Sequence, residues 1–265
     1  MKTTTSTINF RMNESVQKIF DSSTAPLSKD CNSTLCMYQF DIPSSSPDKA
    51  KLTIFSASAP LVLDDVISVA LSTYKSDQLN HAYITLGGVP SNARHEQALE
   101  YFYTLLDNLH ATGWKRYIMP DEARIPGTQA EKFDDPDLIL GTPVSTGPWK
   151  DPALKLKKEE WLSLPMFSSW YFNKDDVYLL LRVQRENSSR EEKTLGSYLF
   201  TLTVRTEAEF YKGFVDDEEH EKWASFLPAE LKRMAQERAQ TEARLKKMGI
   251  AIDEDYQDPP IKALE

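Results

Sequence analysis

Two stretches in the second half of the chain restrict its fold more than any other feature. In "DVYLLLRVQR" (176–185), Val177, Leu179, Leu181 and Val183 fall on one face, and in "SYLFTLTVR" (197–205) Tyr198, Phe200, Leu202 and Val204 do the same. A side-chain period of two belongs to a pleated strand with one buried face. The intervening "ENSSREEKTLG" is polar, so the pair reads as a long antiparallel hairpin. "SSWYF" (168–172) predicts another strand beside it.

A strand–helix–strand unit runs from 81 to 119. "HAYITL" reads as a strand, and "GGVPSN" breaks it, with Ser91 or Asn92 placed to cap the next helix. Ala98, Leu99, Phe102, Leu105, Leu106 and Leu109 then recur at three- and four-residue steps, an apolar stripe for packing on a sheet. Gly113 is the expected left-handed residue after the helix, and "WKRYIM" reads as the returning strand. Upstream, "KLTIFSA" and "PLVLDDVISVALSTY" read as strands, and Ile8, Phe10, Val16, Ile19 and Phe20 supply a short strand and a helical turn. Downstream, "ALKLKKEEWLSL" reads as a short helix. "PAELKRMAQERAQTEARLKKMG" reads as a longer one, entered at Pro228 and ended at Gly249. Its apolar stripe is narrow and is interrupted by Arg238 and Thr241, as on a surface helix.

Residues 120–152 hold six prolines and three glycines, too much punctuation for long elements. So long an irregular stretch inside a compact chain is commonly functional. It overlaps the first of two acidic segments. Residues 121–137 carry six acids and two bases, and residues 216–265 thirteen and eight, which accounts for the whole formal charge of −9. Such a surface repels phosphate backbones and argues against nucleic acid, whereas it attracts cationic partners. Partner-binding candidates are therefore Asp121, Glu122, Arg124, Asp134, Asp135 and Asp137 in the first segment, and Asp216, Asp217, Glu218 and Glu219 in the second. Trp149, in "STGPWKDP", is the tryptophan expected to be exposed for binding; the other four read as buried anchors.

Signals for chemistry are sparse. The chain has no G-x-S-x-G elbow, Walker A loop, H-E-x-x-H or G-x-G-x-x-G after a strand. "LGGVPSN" resembles a phosphate-cradling turn but lacks its lysine and reads as structural. Carboxylate pairs (Asp64 and Asp65, Asp134 and Asp135, Asp175 and Asp176, Asp216 and Asp217) read as polar turns, and His95 and His110 as the polar edge of one helix. No cofactor and no metal are expected. Cys31 and Cys36 are the only cysteines, five positions apart around "NST". They form either a bridge across a short turn, which favours an oxidising compartment, or two free thiols.

"LLDNLHATGWKRYIMPDEARIPG" (105–127) followed by "SSWYFNKDDVYLLLRVQR" (168–185) resembles the immunity proteins encoded beside type VI secretion effectors. In that group a helix ends at Gly-Trp and continues as a charged strand with a nearby Arg, followed by a Trp-marked hairpin. The matching positions are Gly113, Trp114, Arg116, Tyr117, Arg124, Gly127, Trp170, Leu180 and Arg182. The resemblance implies a periplasmic protein that binds and blocks a toxic effector, phospholipases being one effector class. Members usually carry a signal peptide or lipidated cysteine, and "MKTTTSTINFRMNESV" shows neither. A periplasmic home, or any membrane association, thus implies a removed signal or anchor; the alternative home is the cytoplasm.

The expected fold is α+β: a largely antiparallel sheet covered by helices, with a charged C-terminal helix. It is organised either as sub-domains 1–150 and 151–265 or as one continuous domain. The expected function is non-enzymatic binding of a protein partner, a cognate toxin effector. The alternatives are a secretion-associated adaptor or envelope protein that binds a client without inhibiting it, and a hydrolase using carboxylates such as Asp134 and Asp135.

Overall fold

In the computed structural model, which describes residues 5–265, the chain opens with β1 (Thr7–Phe10) and α1 (Val16–Ser22), burying Ile8, Phe10 and Ile19. Strands β2 (Ser28–Cys31) and β3 (Leu35–Asp41) form a hairpin that the sequence pattern does not announce. The Asn32 side-chain oxygen closes its turn, accepting from the backbone N–H of Thr34 and Leu35 at 2.9 and 2.8 Å. Cys31 and Cys36 lie opposite each other across this hairpin and are joined by a disulfide. So short a closed loop removes little unfolded-chain entropy. Replacing both cysteines by alanine is expected to lower stability by about 2 kcal/mol in urea unfolding at neutral pH. A loss above twice that value would show that the bridge also holds native packing.

Strands β4 (Ala50–Ile54), β5 (Leu61–Tyr74) and β6 (Leu79–Leu86) come next. Asp64 and Asp65 are not in a turn: they form a bulge in β5, where the register against β4 shifts, and face Lys51 and Lys49. After "GGVPSN", the two-residue β7 (Ala93–Arg94) precedes α2 (His95–Ala111). A Cβ on Gly88 would overlap the Tyr101 ring, so this turn is shaped by packing. Ser91 and Asn92 do not cap α2. They precede β7, and Asn92 is left-handed at φ 55°, so the helix starts at the sheet edge without a side-chain cap. Gly113 ends it at φ 89°.

The returning strand is cut to β8 (Lys115–Arg116), because Tyr117 turns inward onto Tyr178 and Phe210. The N–H groups of Ile118 and Met119 go to the Tyr256 hydroxyl and Thr146 Oγ1 at 2.8 and 3.0 Å, replacing a ladder. The irregular stretch contains two short 3-10 helices (Gly127–Lys132 and Pro148–Lys150) and the two-residue strands β9 (Leu138–Ile139) and β10 (Thr142–Pro143), and α3 (Lys158–Ser163) lies beyond it. Strands β11 (Phe167–Lys174), β12 (Val177–Asn187) and β13 (Leu195–Thr206) are the expected group. Asp175 and Asp176 form the two-residue turn between β11 and β12, with Asp175 left-handed at φ 55°. The chain ends with α4 (Glu207–Tyr211) and α5 (Trp223–Lys247). Helix α5 begins five residues before Pro228, because Trp223 stacks on Tyr211 and extends it upstream. No helix of the described residues is long and apolar enough to cross a membrane.

The strands build an α+β architecture around an eleven-stranded sheet of order β1-β4-β5-β6-β13-β12-β11-β8, with β2–β3 joined at β5 and β7 at β13. All pairs are antiparallel except β1–β4, and strands from before and after residue 150 share the sheet through β6–β13 and β8–β11. Helix α2 lays its apolar stripe against one face, where Phe102, Trp161 and Trp170 form the aromatic centre of the main core. Tyr178, in the opposite alternation, packs with Tyr117, Phe210, Tyr211 and Leu227 under α4 and α5. A third cluster of Ala123, Ile125, Ile139, Leu245 and Ile250 joins the irregular stretch to the far end of α5.

Candidate binding surface

Residues 117–151 contain no α-helix and no strand longer than two residues, yet their backbone is tied down by side chains from several elements. Arg116 reaches across from β8, donating through Nη1 to Asp151 at 3.0 Å and to the Ile125 carbonyl at 3.2 Å, and through Nη2 to the Thr146 carbonyl at 2.9 Å. Asp151 also accepts from the Gly127 N–H at 2.7 Å. Glu122 is buried and accepts from the N–H groups of Ser145 and Thr146 and from Thr146 Oγ1, at 2.5 to 2.7 Å. Burial pushes its carboxyl above the ordinary range although all three donors pull the other way.

Helix α5 supplies the second set of ties. Arg124 makes a two-pronged bond to Glu242, both distances 2.8 Å. Arg238 donates to the Met119 and Glu122 carbonyls at 2.8 and 2.9 Å while pairing with Asp258 at 2.7 Å. Arg238, which interrupts the apolar stripe of this helix, and Glu242 are both buried and are thus the residues by which it docks. At the sheet side, buried Lys150 donates to Ser168 Oγ at 3.0 Å, pairs with Asp137 at 3.4 Å and lies over the Trp170 ring at 5.6 Å. Burial lowers its pKa, with Asp137 opposing.

The Lys150–Ser168 contact has the spacing of a base–nucleophile pair. Both side chains are buried, however, and the cavity against Ser168 measures about 10 Å³, room for at most a single water. Among the described residues, no three His, Cys, Asp or Glu side chains converge closely enough to share a metal.

The candidates taken from the sequence separate into an inward and an outward set. Glu122 and Arg124 face inward and hold the chain's own segment. Trp149 is half-buried rather than exposed: its indole N–H donates to the Phe133 carbonyl at 3.0 Å and its ring packs on the main core. His95 is wholly buried between the Tyr198 hydroxyl at 2.6 Å and the Glu192 carbonyl at 2.9 Å, not on a polar edge. Asp137 is held by Lys150, and its N–H caps onto Asp135 at 2.9 Å. Asp134 and Asp135 point into solvent beside exposed Glu131, and Asp121 is half-buried. Asp216, Asp217 and Glu218 are exposed and Glu219 half-buried on the turn before α5.

The two acidic groups lie at opposite ends of α5. Residues 216–219 precede its first turn, whereas Lys132 and Gln129 bond to Gly249 and Ala251 beyond its last. With 25 residues in that helix, the ends are about 37 Å apart at 1.5 Å per residue. An interface of ordinary size, about 800 Å² on each partner, covers one group or the other but not both. Asp151, Lys150, Arg238 and Tyr256 carry this arrangement together with Arg116, and no sequence motif marks those four as site residues; the partners through which they do so, backbone groups and side chains alike, lie at least a dozen residues away in sequence.

No family model, no curated protein and no solved structure matches the chain.

Proposed function

We propose that this protein is a non-enzymatic binder that neutralises a secreted, cationic antibacterial effector, presenting the edge formed by Glu131, Asp134 and Asp135. The observation that carries the reading is the fixation of residues 117–151 by buried charged groups at Arg116, Glu122, Arg124 and Arg238. A surface already ordered before encounter spares the entropy of ordering it on binding, and free carboxylates on it accelerate approach of a basic partner. The Cys31–Cys36 bridge supports an oxidising, envelope-side location.

The test is direct. The protein is mixed with the effector encoded beside it, and both complex formation and effector activity are measured. Inhibition with a dissociation constant below micromolar is expected. Glu131→Lys with Asp134→Lys, at two exposed positions that hold no structural bond among the described residues, is expected to weaken binding at least tenfold, about 1.4 kcal/mol, without changing the melting temperature. No complex at micromolar concentration would end the proposal, and tight binding that leaves the effector active would make the protein a carrier instead.

A further inference from the structure

Where α2 ends and β8 begins, a cleft of about 540 Å³ opens between α2, β8, β11 and the stretch after Asp151. Leu106, Trp114, Phe172 and Ala153 give it an apolar lining. Its volume lies within the range of small-molecule sites, about 300 to 1,000 Å³. The charges at its rim are not balanced. Asp151 is engaged by Arg116 and Asp107 by Lys155, whereas Lys115 has no ion-pair partner among the described residues. In a chain of net charge −9, this is an apolar hollow with a spare cation at its mouth.

Two lining residues also carry unused donors. Trp114 is 4% exposed, and its indole N–H has no acceptor. Arg116 spends both Nη atoms on its own chain, yet its buried Nε–H has none. Buried donors without acceptors are rare and unfavourable, and neither side chain can accept a hydrogen bond. A ligand that satisfied them would have to bring acceptors.

We propose that this cleft binds a small amphipathic carboxylate, its apolar body against Trp114 and Phe172 and its charged end at Lys115. Both orphan nitrogens lie beneath the cleft surface. The acid therefore meets Lys115 first, and the indole edge turns towards it as it settles, which makes Trp114 emission a reporter. The cleft does not include Glu131, Asp134 or Asp135, so the experiment needs no effector and uses the full chain alone.

Phenylacetate and octanoate are titrated against their neutral counterparts, 2-phenylethanol and octanol, by tryptophan fluorescence and calorimetry. The acids are expected to bind with a dissociation constant of about 1 mM or tighter and the alcohols about tenfold more weakly. Ala153→Trp, a change at an exposed position that fills the hollow, is expected to abolish binding of both. Lys115→Gln is expected to remove the preference for acids, and Trp114→Phe to remove the fluorescence response. Because the last variant disturbs a buried ring, the two surface variants decide the matter. Absence of acid binding at about 10 mM, equal affinity for acid and alcohol, or binding indifferent to Ala153→Trp would each overturn the proposal.

Discussion

Glu242→Ala is expected to lower stability by about 3 kcal/mol at neutral pH, far more than loss of a surface ion pair would cost. Glu242 is buried on α5, and its oxygens accept from the Arg124 side chain at 2.8 Å and from the Arg124 backbone N–H at 3.1 Å. Removing it strands a guanidinium whose remaining ion-pair partner is Glu254, at 3.8 Å and largely in solvent, with Asp258 farther off. That fallback places the loss towards the lower end of the range for broken buried pairs. Burial pushes the Glu242 carboxyl up, but hydrogen bonds and charge from Arg124 outweigh it and hold the group below its ordinary value. A depressed acid contributes stability above its unfolded pKa, about 4.3, and loses that contribution as pH falls through the folded value. The gap between wild type and Glu242→Ala in urea unfolding should therefore be full at pH 7 and shrink on acidification to below about pH 4. Under the function proposed above, the variant should also bind a cationic partner more weakly although Glu242 is buried, because the 117–151 segment would be ordered only on binding. Unchanged stability at pH 7 would mean that this segment is held by its apolar cluster, Ile125 with Leu245 and Ile250, and not by charge.

Legibility in the sequence followed the reach of the interactions. Strands β11, β12, β13 and β6 and helix α2 could be read because their periodicity is local and their apolar faces meet one continuous core. The early hairpin β2–β3 was missed because β2 is exposed throughout and therefore has no alternation to read. The same limit applies to α5, where Arg238 looks like a break in an apolar stripe and Glu242 carries no signal of burial. Apart from Asp258, which pairs with Arg238, their partners lie more than a hundred residues upstream, at 119, 122 and 124. His95 misled in the same direction: a polar residue at a helix start reads as exposed unless Tyr198 and Glu192, about a hundred positions away, are known to satisfy it. Composition located the acidic segments but could not divide them. Only the fold separates Glu122, turned inward, from Asp134 and Asp135.

The largest single side-chain effect is expected at Trp170. It is 1% exposed on β11, with its ring 4.4 Å from Phe102 and stacked against Trp161 at 6.3 Å. Trp170→Ala opens a cavity between α2, α3 and the sheet, and is expected to cost about 3 to 5 kcal/mol. Trp170→Phe retains a ring against Phe102 and should cost clearly less. The indole also lies under the Lys150 ammonium, whose other contacts are Ser168 and Asp137. The alanine variant thus loosens the sheet-side attachment of residues 117–151 as well as the core. Lys150→Met separates the two contributions, since it keeps the stem and removes the charge. If Trp170 acts partly through Lys150, the two substitutions together should cost less than the sum of their separate costs, by about 0.5 kcal/mol or more. Strict additivity would confine Trp170 to packing α2 on the sheet and leave Lys150 held by Ser168 and Asp137.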